Sequence, residues 1–430
     1  MSYDRNEILR KTAARLIPSG ANTYSKSPNY YCAGAGPAVL ARGQAGHVWD
    51  VDDNRFIDFV LGLGAVSIGY GHPEVTARIE HQLARGLAFS LVTELEIELA
   101  AKLVGIIPCA EMVRFVKNGT DATSAAVRLA RAHTRRDHVA LCGYHGWQDW
   151  SVGTTVNNRG VPAAVRELSH VFKYNDVESL EALFQRFPGQ VAVVILEPAN
   201  QIHPKPGFLQ AVKKLTHREG AVLVFDEVVS GFRFSLGGAQ QYFDVTPDLA
   251  CFGKGMSNGA SLSAVLGRAD CMKEIDRGAF ISMTHGGEGL SLASALATIE
   301  LLEKPGSFEH IWGIGRSWVE GLRHHATAIG LESVIEFRGY DCHPGMLFQA
   351  SPDGKLDASD LFAVFQQAML DQGVLLLATN NFCLMHTQAD VDEALAAAKT
   401  AFENVAAAIE KGTTEGLLRG EPYRPVFPRD

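Results

Sequence analysis

Between Met112 and Leu266 the chain alternates short apolar runs with amphipathic segments of helical period, and this constrains the fold more than any other feature. The runs are Met112–Val116, His138–Leu141, Val191–Leu196, Ala221–Phe225, Leu249–Phe252 and Ser263–Leu266. They are too short for buried helices and lack the alternation of a half-exposed strand, so both faces must be covered. Residues 121–134, 178–186 and 207–219 have the period of the covering helices. The pattern predicts an α/β domain built on a mostly parallel sheet. With 430 residues the chain exceeds what one core normally holds, so a second, smaller domain is expected.

Two of these runs end in ionisable residues. Ala221–Phe225 runs into Asp226 and Glu227, and Leu249–Phe252 runs into Gly253-Lys254-Gly255. Open α/β sheets bind ligands in the crevice outside such strand ends. A lysine and an aspartate there are what a pyridoxal phosphate enzyme requires: the lysine forms a Schiff base with the aldehyde, and the aspartate keeps the ring nitrogen protonated. Burial lowers a lysine's pKa and makes the amine nucleophilic near neutrality.

Other segments supply candidate partners. Lys117-Asn-Gly-Thr-Asp121 follows a strand and opens a helix, where Gly119, Thr120 and first-turn amides can hold a phosphate or simply cap the helix. Tyr144-His145-Gly146 follows another strand; the tyrosine can stack on a planar ring, and His145 is read as a hydrogen bonder behind the site. Glu197-Pro198 ends a third strand, as a cap or as part of the site. Thr284-His-Gly-Gly-Glu288 offers a hydroxyl before helix 290–302.

Composition closes off several classes. A net charge of −9 without a basic block argues against nucleic acid as a partner. The first twenty residues are no signal peptide, and no apolar run reaches the length of a membrane span. The seven cysteines are scattered without a CxxC pair, which points to reduced thiols in the cytoplasm and no zinc site. Asp50, Asp52 and Asn54 imitate a calcium loop, but Arg55 and Leu61 replace its glycine and glutamate, so no metal is expected. Gly62, Gly64, Gly69 and Gly71 do not form GxGxxG.

Elsewhere, helices are predicted over 5–17, 74–86, 93–106, 308–329, 358–372 and 389–410. Residues 47–51 and 55–59 should form a hairpin, 21–45 a loop with short extended pieces, 333–349 mixed strands, and 374–386 further strands. The tail 413–430, with three prolines, should lie extended on the surface.

Together these segments resemble the class III, fold type I, aminotransferases, and within them the glutamate-1-semialdehyde aminomutases and their sugar-aminating relatives. KNGTDATSAAVRLARAHTRRDHV is similar to the family's phosphate-loop helix, YHG to its ring-stacking motif, and FDEVVSGFRFSLGGAQQYFDVTPDLACFGKGMSNG to its central signature. The resemblance implies a fold type I architecture: a large domain at 61–305 with a mostly parallel mixed sheet flanked by helices, and a smaller α+β domain from 1–60 and 306–430. It implies Lys254 as Schiff-base lysine, Asp226 as pyridinium partner, Gly119 and Thr120 at the phosphate, and Tyr144 on the ring. It also implies Thr284 reaching the neighbouring subunit's phosphate in a homodimer with shared sites, and a gate at 153–168.

This chain departs from the aminomutases where they carry Ser-Pro-Val-Arg, Gly-Ser-Trp and Leu-Ser-Gly-Asn. It has Thr23-Tyr-Ser-Lys26, Leu61-Gly-Leu63 and His285-Gly-Gly-Glu288. A lysine does not replace a bidentate arginine. Lys26, Glu197, His285 and Glu288 are therefore the substrate-binding candidates, and glutamate-1-semialdehyde is not the expected substrate. His285–Glu288 and Glu421-Pro-Tyr-Arg-Pro425 resemble relatives that aminate sugar acids of lipopolysaccharide, for example the 8-oxo precursor of 8-amino-3,8-dideoxy-manno-octulosonate. The expected activity is transfer of an amino group from an amino-acid donor, glutamate first, to an aldehyde or ketone. The alternatives are glutamate-1-semialdehyde 2,1-aminomutase and a catalytically silent binding protein on the same fold.

Overall fold

The computed structural model describes residues 1–422. These divide into two compact units: 1–64, 68–72 and the chain from 309 onward form one, and 65–67 with 73–308 the other. Residues 61–64 and 68–72 thus pack with the first unit, although the sequence division placed them in the large domain.

The first unit starts with helix Asp4–Leu16 and continues, after 3-10 turns, into three strands, β1 (Leu40–Gln44), β2 (His47–Asp50) and β3 (Arg55–Asp58). The turn after β2 is closed by Asp50, whose carboxylate accepts from the backbone N–H groups of Asp52 and Asn54 and from the Asn6 and Asn54 side chains.

The second unit carries β4 (Met112–Val116), β5 (His138–Cys142), β6 (Ser169–Val171), β7 (Val191–Leu196), β8 (Val222–Asp226), β9 (Leu249–Phe252) and β10 (Ser263–Gly267). They form one sheet in the order β4-β10-β9-β8-β7-β5-β6. β10 alone runs antiparallel, paired with β4 and β9. The stretch from Gly253 to Leu262 holds only a short 3-10 turn, and without a crossover helix the chain reverses.

Alternate residues of the sheet serve two cores. Along β7, Val193 and Ile195 join one face and Val194 and Leu196 the other. Helix Gly119–Thr134 covers the first face with Ala122, Ala126 and Leu129. Helices Val177–Arg186 and Phe208–Arg218 cover the second with Leu180, Phe184, Val212 and Leu215. Helix Gly289–Leu302 is buried almost all round, as its lack of a polar face requires. All seven cysteines are buried and unpaired. Among the described residues no helix is long and apolar enough to cross a membrane.

The first unit is completed by hairpin β11 (Ile335–Tyr340) and β12 (His343–Phe348), by β13 (Val374–Leu375) beside β3, and by helices Ala358–Asp371 and Gln388–Lys411.

Several local expectations are corrected. β6 was not anticipated; a three-residue strand carries too little pattern. Residues 21–45 contain β1 and two 3-10 turns as well as loop. Of the strands expected at 374–386 only β13 forms: Asn380 N–H then goes to Pro344 and Asn381 N–H to Phe59, so no single ladder continues. The described part of the tail is turned, with the Arg419 and Gly420 N–H groups held by Gln367. Tyr423 to Asp430, and with them most of the Glu421–Pro425 motif, lie outside the described residues.

Leu129 is fully buried between its helix and the sheet. Leu129→Ala should cost about 2–5 kcal/mol, read as a lower urea midpoint of unfolding. An unchanged midpoint would mean that this helix face is not packed on the sheet.

Candidate active site

Strands β4, β9, β8, β7 and β5 are mutually parallel, so their C-terminal ends share one edge of the sheet. At that edge the chain leaves β8 after Asp226, β9 into Lys254, β7 into Glu197, β5 into Tyr144 and His145, and β4 into Lys117–Thr120. The sequence spread these residues over more than a hundred positions, and the topology brings them together.

Asp226 is buried and fixed from two sides. Its Oδ2 lies 2.8 Å from His145 Nδ1, and its Oδ1 accepts the Val228 N–H at 3.1 Å. The other ring nitrogen of His145 lies 3.2 Å from the Cys142 carbonyl. The imidazole is thus held between the Asp226 carboxylate and a backbone carbonyl. Trp150 stacks on it at 10° between planes, and Thr123 Oγ1 donates to the His145 carbonyl at 2.7 Å.

Lys254 opens the 3-10 turn Lys254–Ser257 with φ at 41°, a left-handed backbone that non-glycine residues seldom adopt. Such strain concentrates at functional positions. Burial holds its amine below the ordinary lysine value; Glu197 and Asp226 pull it back up, and buried Arg233 pushes it down. Glu197 is raised by burial and by Asp226, and its Oε1 accepts the Tyr144 N–H at 3.1 Å.

The loop after β4 forms a small cradle. Gly119 and Thr120 are the first residues of helix Gly119–Thr134, where N–H groups lack intrahelical acceptors. Thr120 Oγ1 is buried without a protein hydrogen-bond partner. A Cβ on Gly119 would meet Val228 at 2.8 Å, and one on Gly146 would meet Thr120 Oγ1 at 2.3 Å. The ring of Tyr144 remains open, with the residue 56% exposed.

Glu227, next to Asp226, has a different task. It is fully buried and accepts from Ser230 Oγ, Ala239 N, Gln240 N and the Gln240 side chain. It ties the loop after β8 to the turn at Ala239 and has no exposed face.

The substrate candidates scatter. Glu197 lies at the edge described. Thr284 and His285 are exposed in the loop before helix Gly289–Leu302. Glu288 caps that helix by accepting the Ser291 N–H. Lys26 is exposed in a 3-10 turn of the first unit. The segment 153–168 is folded as turns and helix Ala163–Arg166.

Sequence reasoning missed Arg233 and Trp150. Arg233 had a signal, since an arginine between Phe232 and Phe234 is unlikely to be a surface charge; Trp150 had none beyond its closeness to the Tyr144-His145-Gly146 turn.

With this geometry in hand, the likeness to known proteins follows. A family model described as aminotransferase class-III matches residues 30–405, and the chain belongs to that family. It is 35% identical to a glutamate-1-semialdehyde 2,1-aminomutase of Roseiflexus castenholzii, over 96% of this chain and 100% of that protein. Its structure is similar to the FumI protein of Sphingopyxis sp. MTA144 in its PLP internal aldimine form, with TM-score 0.88, 28% identity and coverage of 98% and 99%. It is also similar to an omega-transaminase from Sphaerobacter thermophilus, with TM-score 0.83, 25% identity and coverage of 93% and 97%. The fold is that of the PLP-dependent transaminases, an α/β fold with a mostly parallel mixed sheet flanked by helices.

Glu197 raises the Lys254 pKa, so Glu197→Gln should let the neutral amine appear at lower pH. The measurement is the pH dependence of Lys254 labelling by an amine-reactive reagent, read by mass spectrometry. A midpoint that stays in place or moves upward would remove Glu197 from the electrostatics of the lysine.

Proposed function

We propose that this chain is a pyridoxal-phosphate-dependent aminotransferase that moves an amino group from an amino-acid donor, glutamate first, to an aldehyde or ketone acceptor. One convergence carries the reading. A lysine with a lowered pKa, an aspartate held by a histidine, an exposed tyrosine and a buried hydroxyl without a protein partner follow parallel strands at one edge of the sheet.

The residues fit the cofactor. The partnerless Thr120 hydroxyl and the first-turn amides suit a phosphate dianion. The glycines at 119 and 146 occupy places where a Cβ would collide with the cradle's own walls.

When bound, pyridoxal phosphate supplies a carbonyl that condenses with amines and a protonated ring that withdraws electrons from the adjoining carbon. The chain's residues do the rest. Gly119 and Thr120 hold the phosphate, and Tyr144 covers a ring face. Asp226, oriented by His145 and the Val228 N–H, would pair with the ring nitrogen and favour its protonated form. Lys254 would hold the cofactor by its amine, and its Nζ, when free, would move a proton to and from the substrate carbon. Burial shifts this amine toward the neutral form. Over the full cycle the donor leaves as its 2-oxo acid and the acceptor carbonyl becomes an amine.

A sugar acid such as 8-oxo-3,8-dideoxy-manno-octulosonate is the acceptor that the departures at His285–Glu288 favour. The second reading is glutamate-1-semialdehyde 2,1-aminomutase, favoured by the 35% identity to such an enzyme along nearly the whole chain. It needs no external donor. We place the enzyme in the cytoplasm, where seven buried free thiols stay reduced.

The same reading includes a homodimer in which Thr284 completes the phosphate site of the second copy. Exposed apolar residues support it: Phe280 is 75% and Leu91 83% exposed, with Phe89 and Met283 also uncovered.

Lys254→Ala should abolish turnover and the visible absorption that wild-type protein gains with pyridoxal phosphate, while the variant still retains the cofactor through its phosphate. Adding glutamate to the loaded wild type should remove the band, and a carbonyl acceptor should restore it. If glutamate leaves the band unchanged while glutamate-1-semialdehyde is isomerised, the aminomutase reading replaces this one.

The dimer is checked by solution mass. Wild type should run at twice 46.5 kDa, and Leu91→Asp should shift it toward the single-chain mass. A wild-type mass of one chain would reject the shared site.

A further inference from the structure

Lys117 stands between β4 and the helix that carries Gly119 and Thr120, yet its ammonium serves other segments. It donates to the Ser261 carbonyl at 2.8 Å and to Ser291 Oγ at 3.2 Å, and it lies 3.6 Å from Glu288 Oε2. Two of the three N–H groups of the ammonium are taken by these hydrogen bonds, and Glu288 balances its charge across the longer ion pair. Ser261 reciprocates, its hydroxyl donating to the Lys117 carbonyl at 3.2 Å.

Glu288 is equally committed. Both its oxygens accept the Ser291 N–H, at 3.2 and 3.1 Å, as the N-cap of helix Gly289–Leu302. The charges are largely shielded, with side chains 19% and 17% exposed.

The segments joined in this way hold the site together. Asn118–Thr120 is the cradle. The stretch from Lys254 to Ser261 starts at the reactive lysine and is pinned by Ser67 Oγ on the Gly255 carbonyl and Ser294 Oγ on the Ser257 carbonyl. The loop from Thr284 to Glu288 carries the exposed threonine. The first two flank the end of the β4–β10 ladder, where Ser263 lies opposite Val116, and the loop from Thr284 to Glu288 lies outside any ladder.

We propose that Lys117 and Glu288 are positioning residues: their ion pair sets the spacing of the Gly119–Thr120 cradle, the Lys254 turn and the Thr284 loop, and through that spacing the affinity for pyridoxal phosphate. The inference rests on the cofactor reading above. It assigns Glu288 to the architecture of the site instead of to the substrate, and Lys117 to the loops instead of to the phosphate. Removing one partner leaves the other charge shielded and unpaired, so the loss exceeds what the intact pair contributes.

The experiment compares wild type, Lys117→Met, Lys117→Arg, Glu288→Gln and the double variant Lys117→Met/Glu288→Gln. Each apoprotein is titrated with pyridoxal phosphate by visible absorption, with KM for donor and acceptor and the apo unfolding midpoint measured alongside. Lys117→Met should weaken cofactor binding about tenfold or more. Lys117→Arg, which keeps the cation, should recover most of the affinity. Glu288→Gln keeps the cap acceptor and should lose less. The double variant should be no worse than Lys117→Met, since the two act as one unit. The substrate KM values should stay near wild type once cofactor saturates.

If Lys117→Met binds cofactor as wild type does, the inference falls while the functional reading stands. If Glu288→Gln raises a substrate KM at unchanged cofactor affinity, Glu288 is a substrate contact and the inference falls. A wild type that takes up no cofactor overturns both. A variant with an unchanged unfolding midpoint and weakened cofactor binding separates positioning from general loss of stability.

Discussion

The site depends on one constraint: parallel strands must all end on the same edge. Each strand end delivers a loop whose first residues are free of the ladder, and in an open sheet those loops are the only places where polar groups can gather without breaking the core. β4, β5, β7, β8 and β9 share that direction, and each feeds or borders a titratable group within two residues of the strand end. β10 breaks the rule and contributes none of the candidate groups; its antiparallel course closes the sheet between β4 and β9. It thereby links the strand before the Gly119–Thr120 cradle to the strand before Lys254, one on each side of it, although more than a hundred residues separate the two.

The fold of the second unit was legible because its strands are buried on both faces. Continuous apolar runs have no other stable place, and the helices between them show the period of a covered stripe. Legibility failed where tertiary partners decide. β6 is three residues long and takes its place from β5 alone. Around Asn380 and Asn381 successive N–H groups bond to different segments, so a run with strand-like composition forms no ladder.

At the site, the residues that were legible are those with an improbable local context. Lys254 sits among glycines at the end of an apolar strand, and Asp226 ends another. Glu288 shows a role that the sequence reading did not include. In the sequence it follows two glycines in a loop, which looks like a flexible substrate contact, and in the folded chain its carboxylate also caps a helix and pairs with Lys117. The sequence could have shown the cap, since a glutamate three residues before a serine at a helix start can serve that purpose. It could not have shown Lys117, which lies far away in the chain.

Three carboxylates lie close together at the ends of β7 and β8, and their surroundings divide their tasks. Glu227 is fully buried and accepts from four donors, which leaves it no capacity for a ligand. Asp226 receives a backbone N–H on one oxygen and faces a histidine with the other, an arrangement that fixes its orientation but leaves lone pairs available. Among the described residues Glu197 accepts the Tyr144 N–H alone, and burial beside Asp226 favours its neutral form. Residues of the same chemistry at adjacent strand ends therefore serve as a tie, an oriented acceptor and a group whose charge can follow that of Lys254. The division comes from donor count and burial, which only the folded chain sets, and it explains why an aspartate and a glutamate side by side in the sequence are not interchangeable.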